Sequence, residues 1–124
     1  MLKNSLYKIG SFDHQDGIIQ ASLEINEHHE ILKGHFPGQP VLPGACMLQI
    51  VKEILENELN QNLRLKIATN LKFLQLIDPQ KDNILQLTLN YKLTEDNEIS
   101  ITAGLSSAQT VCFKFQGVFA VVKV

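Results

Sequence analysis

Apolar and polar residues alternate with period two along most of the chain, the mark of strands with one buried face. Ile19, Ala21, Leu23 and Ile25 alternate with Gln20, Ser22, Glu24 and Asn26. Leu65, Ile67, Leu71 and Phe73 alternate with Lys66, Asn70 and Lys72. The pattern returns at Leu85, Leu87, Leu89, Tyr91 and Leu93, and again at Ile99, Ile101, Ala103 and Leu105. A last strand carries Val111, Phe113, Phe115, Phe119 and Val121 on one parity, and its other parity turns apolar at Val118, Ala120 and Val122. A short strand is expected from Leu6 to Ile9. Turn-forming residues separate the runs at Asp13–Gly17, Asp78–Asn83, Glu95–Glu98 and Ser106–Gln109.

One segment breaks the alternation. From Ala45 to Asn60 the apolar residues follow the helical period, with Met47, Leu48, Ile50, Val51, Ile54 and Leu55 on a broad arc. Gln49, Lys52, Glu53 and Glu56 form the remaining polar stripe. Pro43 and Gly44 stand just before the helix, where backbone N–H groups lack intrahelical partners. The order is therefore strand–strand–helix and then four strands, joined by connections short enough for antiparallel neighbours. An α+β architecture satisfies it: a curled antiparallel sheet of about six strands wrapped around one long central helix, the arrangement called the hotdog fold.

Composition narrows the classes. The chain has 124 residues, a length expected of a single domain spanning 1–124. Hydrophobic residues make up 44% and charged residues 19%, which excludes a disordered polyelectrolyte. The formal net charge of -2, with Arg64 the one arginine, argues against a nucleic-acid partner. No apolar run reaches the roughly 20 residues that span a bilayer, and the start lacks the apolar core of a signal peptide. No membrane partner and a cytoplasmic location are expected. Cys46 and Cys112 stand 66 positions apart in apolar patterns, the setting of buried reduced thiols.

The segment between the second strand and the helix carries the chemistry. It reads Gly34-His35-Phe36-Pro37-Gly38-Gln39-Pro40-Val41-Leu42-Pro43-Gly44. Three prolines and three glycines in eleven residues give the loop a specific shape. His35 is the natural general base, since imidazole titrates nearest neutrality. The helix start that follows can polarise a thioester carbonyl. Together they suit removal of a proton α to a thioester.

Through His35-Phe36-Pro37-Gly38, then Pro40-Val41, then Pro43-Gly44 directly before the helix, the sequence resembles the bacterial (3R)-hydroxyacyl-acyl-carrier-protein dehydratases of the hotdog superfamily. Lys72-Phe73 followed by Leu76-Ile77-Asp78-Pro79 is a weaker second match. The resemblance implies dehydration of a 3-hydroxyacyl thioester to the trans-2-enoyl thioester, with the acyl chain delivered by an acyl carrier protein in fatty-acid or polyketide-like biosynthesis. It implies His35 as the catalytic histidine, the Gly44 amide as the holder of the thioester oxygen, and Phe36, Gly38 and Pro43 as substrate-binding neighbours. It also implies a homodimer or a higher oligomer of dimers, with sites shared between subunits. No cofactor or metal is expected.

One position departs from the family. A Glu or Asp is usual fourteen residues after the histidine, and here that residue is Gln49. An amide can orient a hydroxyl or a water but cannot deliver a proton at neutral pH. General acid–base groups contribute about 10²–10⁴-fold, so Gln49 is expected to weaken dehydration. Two alternatives stay open. The chain is a catalytically impaired subunit that binds acyl chains or carrier protein, or pairs with an active dehydratase in a heterodimer. Third, it is an acyl thioesterase, with His35 activating a water that Gln49 positions.

Other residues read more plainly. Glu53 and Glu56 belong to a solvated helix face, although Glu53 stands one turn beyond Gln49. Cys46 at the helix start is a packing residue rather than a nucleophile. His28 and His29, adjacent in a strand, would point to opposite faces and share no metal. His14, in a turn beside Asp13 and Asp16, is expected to be exposed. Lys33, Lys66 and Lys72 are surface cations that could steer an acidic carrier.

Overall fold

The computed structural model describes residues 2–33 and 41–122. Among them the alternating segments form six strands, β1 (Tyr7–Gln15), β2 (Ile18–Ile25), β3 (Leu63–Phe73), β4 (Ile84–Leu93), β5 (Glu98–Ser107) and β6 (Thr110–Val121). The long helix α1 (Gly44–Leu59) stands between β2 and β3, preceded by a single 3-10 turn at Glu30–Leu32. The strands make one sheet in the order β1-β2-β4-β5-β6-β3, with every neighbouring pair antiparallel. The passage through α1 thus carries the chain from one side of the sheet to its far edge. This is the hotdog fold.

Burial follows the alternation. Ile19, Leu23, Leu85, Leu89, Leu105, Phe113 and Phe119 are wholly buried, and Ile50, Val51 and Leu55 of α1 join them in one cluster. The sheet therefore curls around the apolar arc of the helix. Truncating one of these large side chains to alanine costs about 2–5 kcal/mol, because the close-packed surroundings relax only in part. The helix ends at Asn60, which takes the left-handed conformation at φ 54° and donates its N–H to Glu56 O. Glu56 Oε2 then accepts the Leu63 N–H at 2.8 Å, fixing the entry into β3.

Three strands depart from the simple pattern; in β6 one extra residue at Cys112, between the pairs Leu105–Phe113 and Ser106–Val111, turns Val111 outward. β1 runs on to Gln15 rather than stopping near Ile9, and the tight turn is confined to Asp16 and Gly17, both at positive φ. The cause is a bulge: Ile9 pairs with Leu23 but Phe12 with Ala21, so one extra residue shifts the parity and hides the alternation. In β3 two bulges do the same. Leu65 pairs with Phe119 and Ile67 with Val118, which turns Ile67 to the outer face. Gly117 accommodates this region, since a Cβ there would come within 2.4 Å of Ile67 O. Leu71 and Phe73 keep the inner parity, opposite Phe115 and Phe113, yet stay 42% and 53% exposed because β3 is an edge strand.

Candidate functional site at the start of the helix

The chain enters α1 through Val41 and Leu42, both buried, with Leu42 N donating to Ile77 O at 2.8 Å. Pro43 is the N-cap, in extended conformation and without a side-chain cap. Its carbonyl accepts from both Cys46 N (3.0 Å) and Met47 N (3.2 Å). The amides of Gly44 and Ala45 precede these and lie outside the helical ladder, at the positive end of the helix dipole. Gly44 is half-buried and Ala45 exposed.

Phe73, at the end of β3, lies over this helix start. A Cβ on Gly44 would meet its Cε1 and Cζ at 2.6 Å, so any other residue there forces the ring to shift. The ring also packs against Phe113, with centroids 5.4 Å apart. The motif glycine before the helix and the phenylalanine of the second matching segment are thus in contact, although 29 positions separate them.

Gln49 is half-buried, five residues beyond Gly44, or about 7.5 Å along the axis. Its Nε2 donates to Glu53 Oε2 at 2.9 Å. Glu53 is 3% exposed and belongs to no solvated face, which corrects the reading from the sequence. Its Oε1 accepts from Lys3 N (3.0 Å), Leu2 N (3.1 Å) and the Tyr7 hydroxyl (3.2 Å), and its Oε2 also accepts from Leu2 N at 2.9 Å. The start of the chain has folded back onto the helix and supplied the donors. Nothing in the sequence marks that contact, because the partners lie 46 to 51 positions away. The one local hint is the i, i+4 spacing of Gln49 and Glu53.

These contacts shift the titrating groups in opposite directions. Burial pushes the Glu53 carboxyl up, but the hydrogen bonds from Leu2, Gln49, Lys3 and Tyr7 outweigh it and hold the group below its ordinary value. Tyr7 is pushed upward by burial, then by the Glu53 charge and the hydrogen bond to it. Cys46 is raised by burial, so its thiol stays protonated and packs as an apolar group.

His35, Phe36 and Gly38 lie outside the described residues. The other histidines differ from their expected settings. His14 is half-buried rather than exposed, because the extended β1 aims it at α1 and β4. Its Nδ1 is 2.5 Å from Glu58 Oε1 and its Nε2 2.6 Å from the Tyr91 hydroxyl. His28 and His29 lie in the turn after β2, not in a strand, and His29 Nδ1 accepts from Ile31 N at 3.1 Å. Lys66 is paired with Glu98. Lys72 stands directly opposite Lys114 on the outer face of the sheet.

The family model described as ApeI-like, ApeI dehydratase, matches residues 11–116. A 3-hydroxyacyl-[acyl-carrier-protein] dehydratase FabZ from Chlamydia abortus is 29% identical over 111 residues, covering 82% of this chain and 68% of the relative. Among solved structures, the dehydratase heterocomplex ApeI:P from Xenorhabdus doucetiae superposes with a TM-score of 0.78 at 18% identity, covering 91% of this chain and 96% of that one. A hypothetical thioesterase with coenzyme A from Streptococcus pneumoniae gives a TM-score of 0.67 at 10% identity, with coverage of 97% and 91%. At these identities the two structures speak for the shared fold.

Proposed function

Because the chain belongs to the ApeI-like dehydratase family, we propose that it acts on 3-hydroxyacyl thioesters carried by an acyl carrier protein, eliminating water to give the trans-2-enoyl thioester. The observation that carries this reading is the helix start at Pro43-Gly44, which no side chain caps, with Gln49 half-buried on the same helix. In the proposed reaction His35 removes the α proton while the Gly44 amide receives the thioester oxygen as negative charge develops there. Phe36, Gly38 and Pro43 line the acyl group. Gln49 orients the departing hydroxyl without protonating it, and the proton that completes the water has to come from solvent, so turnover is weak.

The edge strand β3 supports a pairing of subunits. Its inner-face residues Leu71 and Phe73, with Leu74 and Leu76 just beyond, are large and exposed. An uncovered apolar edge of this kind invites a second chain. A second copy pairing along β3 would cover Phe73 and bring two helix starts close together. The alternative partner is a different dehydratase subunit, a reading favoured by the heterocomplex formed by the Xenorhabdus doucetiae relative. A mixed site would join His35 here to a carboxylate of that partner.

The test is dehydration of a 3-hydroxybutyryl-carrier thioester by the purified chain. A low rate is expected, and Gln49→Glu should raise it, since a carboxyl placed beside the anionic Glu53 is held protonated and can donate. A rate unchanged by Gln49→Glu sinks the claim that this position limits catalysis. His35→Ala should lower any activity by at least about tenfold. Release of free thiol instead of enoyl product would point to hydrolysis.

A further inference from the structure

The start of the chain is bonded to the same face of α1 that carries Gln49, through one buried carboxylate. Glu53 receives five hydrogen bonds, and four of them come from N–H groups: Leu2 N to both oxygens, Lys3 N and Gln49 Nε2. Those groups can only donate, so each demands an oxygen with a lone pair. Apart from a turned Gln49 amide, Tyr7 is the partner that could accept a proton from Glu53, and it is buried. A neutral Glu53 would waste most of this arrangement.

The consequence falls on Gln49. An amide beside a carboxylate acting purely as acceptor must turn its NH2 toward it, since the opposite orientation would set two oxygens against each other. That fixes both the rotamer and the flip of Gln49. Its Oε1 receives no hydrogen bond from any described residue. Among the described residues Oε1 is therefore an acceptor without a partner, its direction set by the hydrogen bond that Nε2 makes to Glu53.

We propose that Glu53 is a positioning residue: tethered by Leu2, Lys3 and Tyr7, it holds Gln49 Nε2 and so presents Gln49 Oε1 as a fixed acceptor for the hydroxyl of a 3-hydroxyacyl group. The identity of the ligand rests on the function proposed above; the orientation of Gln49 does not. Gln49 then selects acyl groups that carry an O–H donor at C3 over saturated ones. Displacing an orienting group by even about 1 Å can cost up to 10²-fold in rate. Loss of the Glu53 charge would remove the preference between the two amide orientations.

Two measurements separate the parts. In ¹⁵N-resolved NMR of the wild-type protein, one Gln49 side-chain proton should be shifted downfield and protected at neutral pH. That protection should disappear in Glu53→Gln, and in the wild type as acid protonates Glu53. Gln49 side-chain resonances at free-amide positions, or unmoved by both changes, would overturn the proposal; the wild-type titration decides it even where Glu53→Gln does not fold. The second measurement compares binding of 3-hydroxybutyryl- and butyryl-pantetheine. The wild type should prefer the hydroxy compound by about tenfold, as a site bonded to a substrate hydroxyl does, and Glu53→Gln and Gln49→Ala should each abolish the preference. Equal binding of the two compounds with the NMR signature intact would refute the acyl ligand and leave the positioning standing. Where turnover is measurable, Glu53→Gln should raise KM for the 3-hydroxyacyl thioester by about tenfold, the factor by which the binding preference is lost, while the affinity for butyryl-pantetheine stays unchanged, a split that mere loosening of the fold would not produce.

Discussion

The Phe73 ring occupies the space where Gly44 would carry a Cβ, with ring atoms 2.6 Å from that point. A residue of the far edge strand is thereby locked to the first residue of the helix, and each constrains what the other can be.

Replacing Gly44 by alanine should lower stability in spite of alanine's better helix propensity, worth up to about 1 kcal/mol. Overpacking typically costs about 1–3 kcal/mol. The half-exposed ring can swing aside, so the net loss should sit near the lower end, about 1 kcal/mol. Phe73→Leu in the Gly44→Ala background should recover most of that loss. Thermal unfolding of the two single variants and the double variant measures the coupling; strict additivity would show that the two residues do not touch in solution.

Stability should fall at both ends of the pH scale through one buried pair. The folded value of Glu53 lies below its unfolded value of about 4.3, so its contribution is present above that pH. It is lost as pH falls through the lowered folded value, where the native state must also take up a proton. Tyr7 behaves in the opposite sense. Its folded value lies above the unfolded value of about 10, so its contribution holds below pH 10 and drains away as pH rises further. Denaturant melts as a function of pH should show the alkaline loss reduced in Tyr7→Phe and the acid loss reduced in Glu53→Gln. Unchanged alkaline behaviour in Tyr7→Phe would contradict the arrangement.

The last turn of the helix is held to the sheet by His14. A neutral imidazole satisfies both contacts, donating Nδ1–H to Glu58 and accepting at Nε2 from the Tyr91 hydroxyl. Each hydrogen bond should contribute about 1 kcal/mol. Tyr91→Phe and Glu58→Gln should therefore each destabilise by about that amount, and His14→Ala by somewhat more. Combining His14→Ala with Tyr91→Phe should cost less than the sum of the two. Full additivity in a double-mutant cycle would show that the chain of contacts does not form.

How much of this could be read from the residues varied by element. The strands of β2, β4, β5 and β6 and the span of α1 were visible because alternation and helical period are local properties. β1 was cut short and Ile67 assigned to the wrong face because an inserted residue reverses parity, and a bulge leaves no mark in an alternating pattern. The turn at Ala108 and Gln109 was placed by its polar flanks, yet both residues take positive φ, a conformation that alanine does not advertise. The resemblance at Pro43-Gly44 pointed to the helix start and the departure from it lay at Gln49, while the contacts of Glu53 were missed.

By itself the sequence determined the fold class and the helix, since each follows from neighbours a few positions apart, and the resemblance marked the departure at Gln49. Only the tertiary structure decided what surrounds Gln49. Whether a polar residue on a helix faces water or receives Leu2, Lys3 and Tyr7 depends on where a distant segment packs. A carboxylate left in water and one satisfied by backbone amides are the same letter in the chain. The free energy that distinguishes them arises only when burial strips the water and folding supplies the donors.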